Sequence, residues 1–399
     1  MKTSGPIILF YIFLIVVITT SFFSSPSSVN QPPPKQTKIN IQFKDKQYHV
    51  NFNQKKYADS VVNIAQFAED EKWEGNFTID TIDEANYIEG LSSYYISSEN
   101  NITNVISLEK KLDLSKLEFI KMFVFLRNAN DNMNIKNFSI RLGDKKGLFS
   151  FEYQIPLAAN AGWHLIKMPK ETFVLSTRKK ERNESTVNHW ENIEKITLEL
   201  TARSASKIEL SIDDLWAETG NYNNIFKVNS LDMFSFRQYS GRTYLEVLPY
   251  AASSFFLKKI SSARDFTYTV KLVPWGKRGT IALVVRADTN TSQGYYLELN
   301  GTEDNGWQLY KIGSSPRKDK GLMITRLSSG LISNFVLERG VPIWLRIITK
   351  GNKIGGYISS NGTDFIQLTE KSDSEFASGA IGMTQADASY FIESIDFKQ

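Results

Sequence analysis

Short runs of alternating apolar and polar residues follow one another from residue 39 to the end of the 399-residue chain. The run Lys195–Thr201 places an apolar side chain at every second position, as a strand with one face in water requires. Asn, Gly, Asp and Ser separate such runs, and apolar residues at helical spacing are scarce. The pattern predicts an all-β protein.

A polar stretch around Gly220, residues 218–224, divides this pattern in two. Domains commonly contain about 100 to 200 residues, so the two parts have the size of single domains. We therefore predict two β-sandwich (jelly-roll) domains, one over residues 39–220 and one over 222–399. Two cores joined by a polar linker are expected to fold separately.

The N-terminus differs from the rest of the chain. Ile7–Ile18 is an unbroken apolar run, and an apolar helix over residues 1–23 would be a signal-anchor or a signal peptide. The anchor is preferred because no small-x-small cleavage pattern follows. Residues 24–38 are rich in Pro and Ser and predict an extended tether. We expect the remaining chain at the cell surface or secreted, and the lack of cysteine favours a prokaryotic surface.

Composition excludes several function classes. The sequence has no cysteine, which removes disulfide scaffolds, thiolate metal sites and cysteine nucleophiles. Its three histidines, His49, His164 and His189, lie far apart in sequence and show no metal-ligand spacing. The net charge of +4 comes without a large basic cluster, so nucleic acid is not an expected partner.

The first half contains elements in an order that resembles a known family. They are Ser107–Ser115, Phe119–Leu126, Ser139–Asp144, Gly162–Ile166, Trp190–Ile193 and Ile212–Leu215. This series, within residues 60 to 218, looks like the galactose-binding-like jelly rolls found in many carbohydrate-binding modules. The resemblance implies a glycan-binding or purely structural sandwich.

A second series of elements spans residues 225 to 398. It comprises Asp265-Phe266, Arg286-Ala287, Gly294–Leu299, Trp307–Tyr310, Trp344–Ile347, Gly351–Ile354, Tyr357, Gly379–Met383 and Phe391–Phe397. The series resembles the concanavalin A-like lectin/glucanase sandwich, including its laminin G-like branch. The resemblance implies saccharide binding on a concave sheet face.

Outward-facing side chains of the second domain form the predicted binding site. Alternation that turns Leu297 to the core turns Tyr296 and Glu298 outward. The same argument places Arg286 and Tyr310 on that side. Together these four side chains would line the concave face and bind a polysaccharide or glycoconjugate. The alternative interpretation is a solvated sheet with surface ion pairs.

Tryptophans and a pair of aspartates complete the candidate residues. Trp275 lies between turn residues and is the predicted exposed platform for stacking on a sugar ring. Trp344 begins a strand, at a position that the resembled fold uses for its core. Asp213 and Asp214 offer hard oxygen ligands for a structural calcium ion, and a solvated strand end is the alternative.

These observations favour a membrane-anchored, extracytoplasmic glycan-binding protein without catalytic activity. The laminarinase-like glucanases of the resembled fold use an E-x-D-x-x-E strand, and this sequence contains no such spacing. An extracellular glycoside hydrolase or polysaccharide lyase with carboxylates on separate strands is the first alternative. A structural or adhesion protein of the cell surface is the second.

Overall fold

A computed structural model describes the chain beyond its N-terminal segment. The ranges are 47–65, 67, 71–80, 93–129, 131–177, 189–220, 225–227, 234–239, 241–247, 254–275, 279–315, 321–386 and 390–399. The predicted apolar helix and the Pro-rich tether lie outside these residues. No helix within these ranges is long and apolar enough to cross a membrane.

The first half of the described chain is built from thirteen strands and one short helix. In chain order they are β1 (Gln47–Asn51), α1 (Lys55–Ala58), β2 (Val61–Ala65), β3 (Trp73–Gly75), β4 (Thr78–Asp80), β5 (Ser93–Glu99), β6 (Thr103–Leu112), β7 (Phe119–Leu126), β8 (Ile135–Gly143), β9 (Phe149–Gln154), β10 (Gly162–Pro169), β11 (Val174–Thr177), β12 (Ile193–Ala202) and β13 (Lys207–Glu218). Single 3-10 turns cover Asp131–Asn134, Lys170–Thr172 and His189–Glu191.

The second half adds fourteen described strands. They are β14 (Phe226–Lys227), β15 (Phe234–Tyr239), β16 (Arg242–Val247), β17 (Phe255–Leu257), β18 (Phe266–Pro274), β19 (Thr280–Ala287), β20 (Gly294–Asn300), β21 (Gly306–Ser314), β22 (Leu322–Leu331), β23 (Ile343–Lys350), β24 (Lys353–Ser359), β25 (Ile366–Ser372), β26 (Ala380–Ala386) and β27 (Tyr390–Lys398). The prediction of an all-β protein is confirmed.

Two antiparallel sheets of the first half enclose one hydrophobic core. One sheet has the order β10-β7-β13-β5-β4, with β2 also paired to β13, and the other has the order β11-β9-β8-β12-β6-β3. Buried residues such as Ile106, Met122 and Leu198 fill the space between them. Alternating apolar residues therefore build this core, as the sequence pattern indicates.

Two further sheets enclose the core of the second half. The eight-stranded sheet has the order β15-β16-β27-β18-β23-β24-β25, with β1 paired to β27. The seven-stranded sheet has the order β14-β17-β26-β19-β20-β21-β22. Strand β1 is a correction to the predicted boundary, since it lies within residues 39–220 yet pairs with the last strand, Tyr48 opposite Phe397. No local pattern reports a pairing between the two ends of a chain.

The two halves share buried contacts. Trp163 and Trp216 of the first half belong to the same buried cluster as the core of the second half. Lys121 forms a fully buried ion pair with Glu218 and donates a hydrogen bond of 2.9 Å to the carbonyl oxygen of Phe234. Cutting the chain at residue 220 would expose this cluster, so the halves are less separate than the sequence suggests.

Candidate functional site

The predicted site lies on the face of the seven-stranded sheet that points away from the main core. Tyr296 on β20 and Tyr310 on β21 are direct cross-strand partners, and their rings stack with centroids 5.0 Å apart and 8° between the planes. Both belong to a small apolar cluster distinct from the main core. The outward register is as predicted, yet Tyr296 is only 1% exposed and Tyr310 only 8%. Neither ring face is open to a sugar.

Glu298 is buried in the same face and is bonded to its own sheet. It accepts hydrogen bonds from the Gln308 amide, from the Tyr310 hydroxyl at 3.0 Å and from the Thr280 side chain. Burial raises the pKa of the Glu298 carboxyl, and these donors oppose the rise. Burial likewise raises the pKa of Tyr296 to about 12. The arrangement stabilises the sheet and leaves few acceptors for a ligand.

Arg286 does not lie on this face, which corrects the prediction. It has a φ of 50° at an irregularity of β19 between Val284 and Ala287, and this turns the side chain the other way. Its Nη2 donates to the carbonyl oxygens of Arg264 and Gly351, both at 2.7 Å. The guanidinium therefore ties two chain segments together and is a structural group.

Trp275 is 6% exposed and is not the open platform that its flanking turn residues predict. Its ring lies 5.2 Å from that of Phe391, and the guanidinium of Arg339 lies 4.4 Å above it. With Tyr244, Val273 and Phe391 it forms a small buried cluster. An aromatic side chain at a strand end folds back on neighbouring apolar residues because this removes its surface from water.

Asp213 and Asp214 do not fit a calcium ion. Asp214 lies at an irregularity of β13, and its Oδ2 is 2.7 Å from Nη2 of Arg237 in a buried ion pair. Calcium requires six to eight oxygen ligands, and here a guanidinium occupies the carboxylate. The described part of the chain contains no group of three or more His, Cys, Asp or Glu residues that could hold a metal.

A cavity opens instead on the outer face of the eight-stranded sheet. It encloses about 430 Å³, and we call it the outer groove. Strands β1, β18, β23 and β27 and the loop after β24 supply its walls. The lining residues are Gln47, Tyr48, His49, Thr267, Thr269, Trp344, Arg346, Gly362, Asp396, Phe397 and Lys398.

A row of directly opposed residues crosses the groove from strand to strand. In sheet order it reads His49, Asp396, Thr269, Arg346 and Tyr357. The sequence neighbours of these residues include core members on every strand, so the row itself faces outward. His49 Nδ1 lies 2.6 Å from Asp396 Oδ1, and the two side chains are 53% and 52% exposed.

Arg346 is the most tightly positioned side chain of the outer groove. Its Nε donates to Thr269 Oγ1 at 2.9 Å, and its Cζ lies 3.4 Å from the centroid of the Phe365 ring. Burial lowers the pKa of the guanidinium, and the Asp396 carboxylate opposes that change. An arginine stays protonated at such a site, so the groove holds a fixed positive charge.

Trp344 forms an aromatic wall beside this arginine. It is half-buried, and Lys271 from the neighbouring strand lies 4.9 Å above its ring. Gly362, with a φ of 81°, packs against the indole so closely that a Cβ there would lie 2.8 Å from it. The expectation that Trp344 belongs to the core is wrong, because alternation with Ile343 and Leu345, both core residues, turns it outward.

No protein-family model and no curated protein matches this chain. Among solved structures it is similar to the carbohydrate-binding module CBM66 from Bacillus subtilis, with 16% identity, a TM-score of 0.34 and coverage of 44% of this chain and 98% of that one.

Two lectins are also among the similar structures. The VIP36 exoplasmic/lumenal domain in its Ca²⁺/Man3GlcNAc-bound form has 13% identity and a TM-score of 0.32, covering 44% of this chain and 85% of that one. Sheep galectin-11 in complex with glycerol has 11% identity and a TM-score of 0.26, covering 36% of this chain and 94% of that one. At such low TM-scores the likenesses carry no argument about the ligand of this chain.

Proposed function

We propose that the protein binds a saccharide in the outer groove. The observation that carries the proposal is the half-buried Trp344 ring, which lines the groove beside the fixed guanidinium of Arg346. Aromatic faces stack on the apolar C–H faces of pyranose rings, and planar polar side chains orient the hydroxyls. Thr269 and the His49–Asp396 pair add hydroxyl, imidazole and carboxylate groups along the same line.

The shape of the groove suits a polysaccharide or glycoconjugate. The lining residues from His49 to Arg346 lie on four adjacent strands, and strands lie about 4.8 Å apart, so this part of the groove is roughly 14 Å long. That length accommodates several sugar units laid across the sheet. A single small ligand would instead favour an enclosed pocket.

The lining residues support binding without cleavage. Asp396 is the one carboxylate among them, and it is paired with His49. Glycosidases usually need two carboxyl groups flanking the scissile bond. A binding protein that holds its glycan without hydrolysing it is therefore the function that this groove supports best.

The test is a glycan array probed with the full-length protein, followed by titration of the strongest ligand. Loss of one aromatic stacking contact, about 0.5 to 1.5 kcal/mol, predicts that Trp344→Ala weakens binding about two- to twelve-fold. Trp344→Phe, which keeps a ring, is the matched control and retains most of the affinity. The proposal fails if no saccharide binds, or if Trp344→Ala binds as tightly as the natural protein.

We propose further that the protein acts outside the cytoplasm and is held at a membrane. The apolar run Ile7–Ile18 supports this part of the proposal. A reporter that is active only outside the cytoplasm, fused to the C-terminus, should show activity that is lost when residues 1–23 are deleted. Recovery of the full-length chain in the cytosol would contradict it.

A further inference from the structure

The outer groove holds a guanidinium whose outer nitrogens are not used. Nε of Arg346 is bonded to Thr269 and its face is covered by Phe365. Within the described residues, no carboxylate lies within ion-pair distance of Arg346, and neither Nη atom has a hydrogen-bond acceptor. Two parallel N–H donors of the fork are therefore open to a ligand.

We infer that the saccharide bound in the outer groove carries an acidic group, a carboxylate or a sulfate ester, and that Arg346 binds this group. The inference rests on the proposed function and names the chemical class of its ligand. A guanidinium fork matches the two oxygens of such an anion in a bidentate pair, which is stronger and more directional than a bond to a neutral hydroxyl.

Arg346 and the exposed Lys398 are the two cations among the lining residues of the groove, and Arg346 is the half-buried one. Lys271 donates to Glu393 at 2.7 Å, so its charge is balanced within the protein. Asp396 is paired with His49 at 2.6 Å. Among the described residues no carboxylate lies within ion-pair distance of Arg346, and Asp396 acts on it only from farther away, so an anion that reached the Nη atoms would gain a direct contact.

Arg346 is also held in place before the ligand arrives. The bond to Thr269 and the contact with Phe365 fix the guanidinium plane at both its inner nitrogen and its face. A long side chain that is already ordered loses little conformational freedom when it binds. This is the geometry of a prepared anion subsite, in contrast to a solvated surface arginine.

The experiment measures binding of the full-length protein to two pairs of polymers that share a backbone. The first pair is polygalacturonate and its methyl ester, which tests a carboxylate, and the second is dextran sulfate and dextran, which tests a sulfate. One acidic polymer is expected to bind at least about ten-fold more tightly than its neutral counterpart. The arm that shows the difference identifies the acidic group.

Three variants separate the role of the charge from that of the fold. Arg346→Gln removes the charge and should lose about ten-fold or more in affinity for the acidic polymer only. Arg346→Lys keeps the charge without the fork and should be intermediate. Thr269→Val removes the bond to Nε and should weaken acidic binding less than Arg346→Gln does. A circular-dichroism spectrum of each variant checks the fold.

The outcomes distinguish this inference from the proposed function. Equal binding of acidic and neutral polymers, or unchanged acidic binding by Arg346→Gln and Arg346→Lys, would overturn the inference. If a neutral glycan binds and only Trp344→Ala weakens it, the proposed function stands and the acidic ligand does not. If neither the polymers nor any glycan on the array binds, both are wrong.

Discussion

The two outer faces of the second sandwich look alike in sequence and differ in structure. Both carry aromatic, acidic and polar residues on the side away from the core. On the seven-stranded sheet the tyrosines are stacked and buried, and the carboxylate is bonded to its own neighbours. On the eight-stranded sheet Trp344 is only half-buried, and neither Nη atom of Arg346 has an acceptor among the described residues. A side chain that points outward is a binding candidate only if its surface and its hydrogen-bonding groups remain available.

Two arginines of this sandwich show the same distinction between a side chain used by the fold and one available to a ligand. Arg286 is 1% exposed and gives its donors to the backbone carbonyl oxygens of Arg264 and Gly351. Within the described part of the chain, Arg346 makes one side-chain hydrogen bond, to the hydroxyl of Thr269. The first therefore stabilises the fold, whereas the second is free to bind a ligand.

Substitution of Tyr296 is expected to change the free energy of unfolding most. Tyr296→Ala leaves a cavity in a buried cluster and should lower the free energy of unfolding by about 3 kcal/mol or more. Trp344→Ala should lower it by less than about 2 kcal/mol, because the indole is only half-buried. Denaturant unfolding monitored by circular dichroism measures both, with Tyr296→Phe as the matched control. Similar losses for the two alanine variants would mean that the two faces are not distinct.

Substitutions of Arg286 and Arg346 are expected to have the next largest effects, one on the free energy of unfolding and the other on saccharide binding. Arg286→Met removes the charged donor that bonds the carbonyl oxygens of Arg264 and Gly351 and should cost about 3 kcal/mol in unfolding free energy, with unchanged affinity of the folded protein for saccharide. Arg346→Met should cost less than about 1 kcal/mol in stability and should impair binding instead. Unfolding curves and saccharide titrations of both variants test the contrast. An exchange of these two phenotypes would reverse the roles assigned to the two arginines.

Substitution of Glu298 is expected to change the free energy of unfolding least, and the change depends on pH. Because burial raises its pKa above the ordinary 4.5, the folded protein holds this proton more tightly than the unfolded chain does. The contribution of Glu298 to stability therefore falls as pH rises from the unfolded pKa toward the folded one.

Glu298→Gln removes that titration from the protein. The unfolding free energy of the variant, relative to the natural protein, should therefore increase as the pH rises above the ordinary pKa of 4.5. A relative stability that stays constant or falls with pH would show that the Glu298 carboxylate is not penalised by burial.

The alternation of apolar and polar residues predicts part of the fold and part of the candidate site. It predicts the all-β fold and the outward register of Tyr296 and Glu298, because one side chain in two must face the core. It fails at Arg286, where a φ of 50° and a register shift break the period. The same alternation in Ile343–Ile347 places Trp344 and Arg346 outward, and only the resemblance to a known family pointed the other way for Trp344.

The outer groove itself depends on contacts that the sequence does not reveal. His49 and Asp396 meet only because β1 pairs with β27, and the two residues are 347 positions apart. The exposure of a side chain likewise depends on what packs over it, as the burial of Trp275 beneath Arg339 shows. Both are properties of the tertiary structure, and no local pattern encodes them.

The central claim is that a saccharide binds at Trp344 and not on the seven-stranded sheet or at Trp275. The most direct measurement is fluorine NMR of the full-length protein labelled with fluorotryptophan and fluorotyrosine, with resonances assigned by Trp344→Phe, Trp275→Phe and Tyr296→Phe. On titration with the saccharide that binds on the array, the Trp344 resonance should shift while those of Trp275 and Tyr296 stay in place. A shift of the Trp275 or Tyr296 resonance with an unmoved Trp344 would contradict the account.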